Sequence, residues 1–203
     1  MSVVLLGSGN AGKLSELREL LRPLAVELIG LPDLTPRPAE APETGSTFRD
    51  NAIQKARHYA RATGLTVIAD DSGLCVDALG GAPGIHSARY SGGGDDDANN
   101  SCLLKALAGL PADRRTASYR AVIVVVRGEE ILLEAEGRCD GVILDAPRGR
   151  AGFGYDPLFL VPELGKTFAE IPAAIKHGIS HRGQALRRIV SEWPRIQPAL
   201  GKS

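Results

Sequence analysis

Apolar positions along the chain fall into short unbroken runs and helical stripes. Val3–Leu6 is a continuous apolar run ending at Gly7, the pattern of a strand buried on both faces. Behind it Asn10 is placed to cap a helix that carries Leu14, Leu17, Leu21 and Leu24 on one face and stops at Pro23. Residues 26–29 read as a second strand. Residues 31–45 hold Pro32, Pro36, Pro38 and Pro42 and are predicted to be a loop, and a loop of that length in a compact domain is usually functional or mobile. Thr47 with Asp50 resembles a capping box, which opens a helix to about Ala62 with Phe48, Ala52, Ala56 and Ala60 on one stripe and Gly64 beyond its end.

Residues 65–69 form another buried-type strand that runs into Asp70-Asp71-Ser72-Gly73. Residues 97–107 are predicted helical. Residues 117–126 and 131–138 read as strands, with Arg127-Gly128-Glu129-Glu130 as a hairpin turn. Residues 146–156 are a Gly-rich loop. Ser180 caps a last amphipathic helix bearing Leu186, Ile189, Val190 and Trp193 and ended by Pro194. Strand–helix units at the two ends and a hairpin in the middle predict an α/β protein, a mixed sheet with flanking helices split into two lobes.

Composition narrows the classes. At 203 residues the chain fits one domain, or two small ones sharing a cleft, and needs no disulfide or metal to fold. Lys plus Arg and Asp plus Glu number 24 each, so the formal net charge is zero and a broad nucleic-acid-binding surface is not expected. An anionic ligand must then be held by a local cluster of positive groups. The start reads as lacking a signal peptide, and the longest apolar run, residues 121–126, is far short of the ~20 residues needed to span a bilayer. Cys75, Cys102 and Cys139 are widely spaced and read as reduced, mostly buried thiols of a cytoplasmic protein.

Four segments carry candidate chemistry. Gly7-Ser8-Gly9-Asn10-Ala11-Gly12-Lys13 lies between a strand and a helix. It fits a dinucleotide fingerprint, with Asp33 about 20 residues further on. It fits a Walker A loop, except that Leu14 stands where a hydroxyl would hold Mg²⁺. It also fits a plain strand–loop–helix junction whose N–H groups and dipole suit a phosphate, with Lys13 adding charge. Asp70-Asp71-Ser72-Gly73 is either a solvated turn or a pair of carboxylates at a strand end, of which only one faces a given side if the chain stays extended. With a phosphate ligand, such carboxylates suggest Mg²⁺. Phe153-Gly154-Tyr155-Asp156-Pro157 offers aromatics that either stack on a base or plug a core. Lys176 and Ser180-His181-Arg182-Gly183 place cations in the first turn of a helix, against its dipole, which is either a solvated helix start or a sign of an anionic partner. Asp95-Asp96-Asp97 lacks the spacing of a calcium loop and reads as a flexible loop and helix start. His58, His86 and His177 show no zinc-ligand spacing.

Taken in order, these segments resemble the inosine triphosphatase family of purine nucleoside triphosphate pyrophosphatases. The resemblance rests also on Glu43-Thr44-Gly45-Ser46-Thr47-Phe48, Asn51-Ala52-Ile53-Gln54-Lys55-Ala56, Leu79-Gly80-Gly81-Ala82-Pro83-Gly84 and Ser87-Ala88-Arg89-Tyr90, and it spans about Val3 to Val190. It implies an elongated mixed sheet with flanking helices, two lobes around a central active-site cleft, and a homodimer. It implies Mg²⁺-dependent hydrolysis of ITP, dITP and XTP between the α- and β-phosphates. By the same resemblance Ser8, Gly9, Asn10, Ala11, Gly12, Lys13 and Lys55 hold the triphosphate, and Glu43 and Asp71 hold the metal. Asp71 accepts the proton of the attacking water and Ser72 touches the substrate. Phe153, Gly154, Tyr155, Asp156, Lys176, His181 and Arg182 form the base pocket. Ser8 stands where the family usually has Thr, and the stretch Gly92-Gly93-Gly94-Asp95-Asp96-Asp97 is unusually Gly-rich. The rivals are a P-loop kinase or ATPase, a dehydrogenase, and a nucleotide-sensing module that binds without turnover.

Overall fold

A computed structural model describes residues 2–24 and 26–200. In chain order the elements are β1 (Val3–Leu6), α1 (Ala11–Leu21), β2 (Glu27–Gly30), α2 (Phe48–Thr63), β3 (Thr66–Val76), α3 (Asp96–Ala106), β4 (Thr116–Arg127), β5 (Glu130–Ile143), β6 (Phe159–Val161), β7 (Lys166–Thr167), α4 (Ala173–Ile179) and α5 (His181–Leu200). Among the described residues seven strands form one sheet in the order β2-β1-β3-β4-β5-β6-β7. β1 pairs parallel with β2 and β3, while β6 pairs antiparallel with β5 and β7. The expected mixed sheet with flanking helices is borne out. Among the described residues no helix is long and apolar enough to cross a membrane.

The chain divides into two compact units. The first comprises Met1–Asp71, Ala121–Gly137 and Arg182–Ser203, the second Ser72–Arg120 and Arg138–His181. In the first unit the apolar runs are explained by burial on both faces. Val4, Leu6, Ile68, Ile123 and Val125 pack with Leu14, Leu17 and Leu21 of α1 and with Leu186, Ile189 and Trp193 of α5. Their sequence neighbours Leu5, Val67, Ala69, Val122 and Val124 point the other way and pack with Ala52, Ala56, Tyr59 and Ala60 of α2. The second unit has its own core, in which Leu74, Leu103, Leu107, Tyr119, Tyr155, Phe159 and Phe168 pack together.

The Asn10 and Thr47 caps sit where the sequence placed them. Asn10 accepts from the Lys13 N–H at 2.9 Å, and the Thr47 hydroxyl accepts from the Asp50 N–H at 3.0 Å. Gly64 closes α2 with a φ of 70°.

Other expectations need correcting. Pro194 does not end the last helix: α5 runs on to Leu200 with Pro194 and Pro198 inside it. Both prolines are exposed, while Trp193, Ile196 and Leu200 continue the buried stripe, so core packing outweighs the lost backbone bonds. Asp70-Asp71-Ser72-Gly73 is no turn but the middle of β3, held extended by buried partners on both sides. Gly73 is required there by close approach, since a Cβ would lie 2.4 Å from the Gly84 carbonyl oxygen. Short β6 and β7 and helix α4 have no counterpart in the sequence reading, and β2 sits one residue later than expected. All three cysteines are free, but only Cys139 is buried; Cys75 and Cys102 are half-buried.

Candidate active site

The loop Gly7–Asn10 is set by the parallel pairing of β1 with β3. The Gly7 N–H donates to the Ile68 carbonyl at 2.8 Å, carrying the ladder past the end of β1. Ser8 is buried, and its hydroxyl accepts from the Asn10 N–H at 3.2 Å. Gly9, Asn10 and Ala11 are exposed at the open N-terminus of α1. This geometry bears on the three readings of the motif. α1 begins at Ala11, which leaves only Gly7–Asn10 between β1 and the helix. Asp33 accepts from the Gly30 N–H at 2.7 Å and pairs with Arg18 at 2.8 Å. The segment is a short strand–loop–helix junction with an open helix N-terminus.

Beyond it, β3 presents two carboxylates to opposite sides. Asp70 is fully buried, with Lys13 Nζ at 3.2 Å from Oδ1 and Arg182 Nε at 3.2 Å from Oδ2. Arg182 also binds Glu16 of α1. Asp70 therefore ties the first turns of α1 and α5 together. Asp71 faces α2, where Asn51 and Lys55 lie one turn apart on one stripe. Asn51 Nδ2 donates to Asp71 Oδ2 at 3.3 Å, and Lys55 Nζ lies 3.6 Å from Oδ1. The same ammonium reaches Glu43 at 2.6 Å and the Asp70 carbonyl at 3.2 Å. Asn51 Oδ1 also accepts from the Gly45 N–H at 2.8 Å, which fixes the loop that carries Glu43.

The electrostatics follow from burial. Desolvation raises the Asp71 carboxyl above its ordinary range, although Lys55 and Lys13 pull the other way. Burial lowers the Lys13 ammonium against the pull of Asp70. Burial would lower Lys55 too, but Asp71 and Glu43 outweigh it and hold it above its ordinary value. Among the described residues no group of three or more His, Cys, Asp or Glu side chains is set to hold a metal. Glu43 and Asp71 nonetheless converge on one cationic atom, Lys55 Nζ.

In the second unit, the loop 153–156 is pinned from within. Asp156 is buried and its Oδ2 accepts from the Phe153 N–H at 3.0 Å and from Lys176 Nζ at 2.7 Å. The Lys176 ammonium lies 5.1 Å from the centre of the Phe153 ring and 5.5 Å from that of Phe168. Gly152, with a φ of 78°, must be glycine, since a Cβ would meet Asp156 Oδ2 at 2.0 Å. Tyr155 is buried and its hydroxyl donates to the Ser87 carbonyl at 2.8 Å, so this aromatic plugs the core, while Phe153 is half-buried. His181 is buried and its ring stacks on Tyr119 at 4.7 Å. A solvated helix start at residues 180–183 is thereby excluded.

Two clusters thus gather most of the residues read from the sequence. Ser8, Lys13, Glu43, Lys55, Asp71 and Arg182 lie in the first unit, and Phe153, Gly154, Tyr155, Asp156, Lys176 and His181 in the second, as does half-buried Ser72. The resemblance groups Arg182 with the base pocket; here its guanidinium pairs with Asp70 and Glu16 in the first unit. Sequence reasoning assigned no role to Asn51 or Glu16, while the carboxylate of the pair that holds local structure is Asp70. The one available signal was the one-turn spacing of Asn51 and Lys55.

Fold and charged clusters together define an α/β protein with an open helix N-terminus beside a lysine–carboxylate network. The chain belongs to the Ham1 family, whose model matches residues 4–192. It is 52% identical over 189 residues to a dITP/XTP pyrophosphatase of Xanthomonas campestris, covering 92% of this chain and 94% of that one. It is 50% identical over 194 residues to a dITP/XTP pyrophosphatase of Desulforamulus reducens, covering 95% and 96%. A solved HAM1 protein from Coxiella burnetii superposes with a TM-score of 0.86 at 41% identity, covering 96% of this chain and all of that one. The family read from the ordered motifs is borne out.

Proposed function

We propose that this chain hydrolyses the deaminated purine nucleoside triphosphates ITP, dITP and XTP to the nucleoside monophosphate and pyrophosphate, clearing them from the nucleotide pool. The observation that carries this reading is the split of charge on β3, with Asp70 locked as an anchor and Asp71 held among Lys55, Asn51 and Glu43. The α1 N-terminus, Lys13 and Lys55 take the triphosphate. Asp71 takes a proton from the attacking water, whose oxygen bonds to the α-phosphorus as the bridging bond to the β-phosphate breaks and pyrophosphate leaves.

Glu43 and Asp71 fit Mg²⁺. They are hard oxygen donors already converging on a cation, and Mg²⁺ is commonly bound through one or two carboxylates plus substrate phosphates. Bound there, it would neutralise phosphate charge during the displacement. Family resemblance extends the reading to a homodimer; the unpaired, widely spaced cysteines support a cytoplasmic protein, and the balanced charge speaks against nucleic acid as a partner.

Base choice falls to the second unit. Hypoxanthine and xanthine present an O6 acceptor beside an N1–H donor; adenine presents the reverse. Lys176 and Asp156 set a donor and an acceptor side by side. A site built to hydrogen-bond one pattern leaves its buried groups unpaired with the other, and can discriminate by roughly 10⁴-fold. Steady-state kinetics with ITP and ATP test this: kcat/KM for ITP exceeds that for ATP by at least about 10²-fold, and EDTA abolishes turnover. Equal kcat/KM values would overturn the base reading, and full activity in EDTA would overturn the metal reading.

A further inference from the structure

The Asp95-Asp96-Asp97 run is more than a helix start. Asp95 caps α3, its side chain accepting from the Asp97 N–H at 3.0 Å. Asp96 is turned away from that task. Its Oδ2 accepts from the Gly154 N–H at 2.6 Å, and Asn100, one turn further along α3, donates from Nδ2 to the Gly154 carbonyl at 3.0 Å. Two side chains on one helix face thus grip both polar groups of a single loop residue.

That residue matters because of its neighbours. Gly154 has a φ of 61° and follows Gly152 at 78°, so Phe153 is slung between two left-handed glycines with little intrinsic stiffness. The peptide before Phe153 is held by Asp156, through the Phe153 N–H. The peptide after it is held by Asp96, through the Gly154 N–H. With both flanking peptides fixed, the backbone of Phe153 is fixed and its ring stays near the Lys176 ammonium. α3 itself is moored to the same unit by Asn99, which accepts from the Ser91 N–H at 2.7 Å and donates to the Ala88 carbonyl at 3.3 Å.

We propose that Asp96 and Asn100 are positioning residues for purine recognition, acting through the Gly154 peptide to set the Phe153 ring against the base. This rests on the base reading of the second unit. Losing a hydrogen bond to a charged group weakens base binding by roughly 10-fold. In Asp96→Ala, KM for ITP therefore rises about 10-fold while kcat stays within about twofold, because the phosphate machinery is untouched. Asp96→Asn keeps an acceptor for the Gly154 N–H and recovers most of the parent KM. Inorganic tripolyphosphate, which has no base, inhibits parent and Asp96→Ala with the same Ki.

Each arm discriminates. A fall in kcat at constant KM, or a matching rise in the tripolyphosphate Ki, would mean that Asp96 merely stabilises the fold, and the proposal fails. If Asp96→Asn is as impaired as Asp96→Ala, the hydrogen bond to Gly154 is not the cause and the proposal fails. Phe153→Ala separates the underlying reading: an unchanged KM for ITP in that variant removes Phe153 from the base site and both ideas fall together. A raised KM in Phe153→Ala with a parent-like KM in Asp96→Ala sinks the positioning role alone.

Discussion

Asp71→Asn lowers kcat for ITP by about 10²–10⁴-fold, the usual worth of a positioned general base, and the loss of a metal carboxylate adds to it. The fold survives the change. Asn is nearly isosteric, its oxygen still accepts from Asn51, and the substitution removes a charge that burial already disfavours. Parent-like melting with collapsed turnover is the expected pair of results, read by thermal denaturation and a steady-state product assay. Near-normal turnover would remove Asp71 from the reaction and leave the lysine cluster without a chemical role.

Asp70→Ala gives the opposite pair, with stability lost first. Asp70 is fully buried and Arg182 is 3% exposed, so truncation leaves Lys13 and Arg182 facing a site stripped of its anion. Breaking a buried pair by removing one partner costs about 3–5 kcal/mol. For a protein of this size that is a fall in Tm of about 6–20 °C, measured by calorimetry or circular dichroism. The exposed Arg61–Glu129 pair, removed as a control, barely moves the transition. A melting point within a degree of the parent would show that Asp70 is not the tie between α1 and α5.

Adjacent residues on one strand thus have separate fates, and the sequence could state this only conditionally. Asp, Ser and Gly favour turns locally, so residues 70–73 read equally well as a solvated turn. Their extended, buried state depends on Lys13, Asn51, Lys55 and Arg182 arriving from three helices. The same reason explains Pro194: proline chemistry predicts a stop, but Trp193, Ile196 and Leu200 bury the next turns regardless. Where signals are local they were legible, as with the Asn10 and Thr47 caps, the two-sided burial of β1, and Gly64. β6 and β7 are too short to show a pattern and exist by pairing with β5 and with each other. Of the site, the charged motifs stood out by type and Asp96 only as part of an acidic run, while the second partners Asn51 and Asn100 did not. Those are small polar residues whose purpose is set by a contact far along the chain.

The most direct test of the account is the identity of the products. Purified protein is given ITP with Mg²⁺, and the nucleotide and phosphate products are separated and counted. The account predicts IMP and pyrophosphate in equal amounts, with little product from ATP. IDP and inorganic phosphate would place the cleavage at the outer anhydride and contradict the assignment of Lys13, Lys55 and Asp71 to attack at the α-phosphorus.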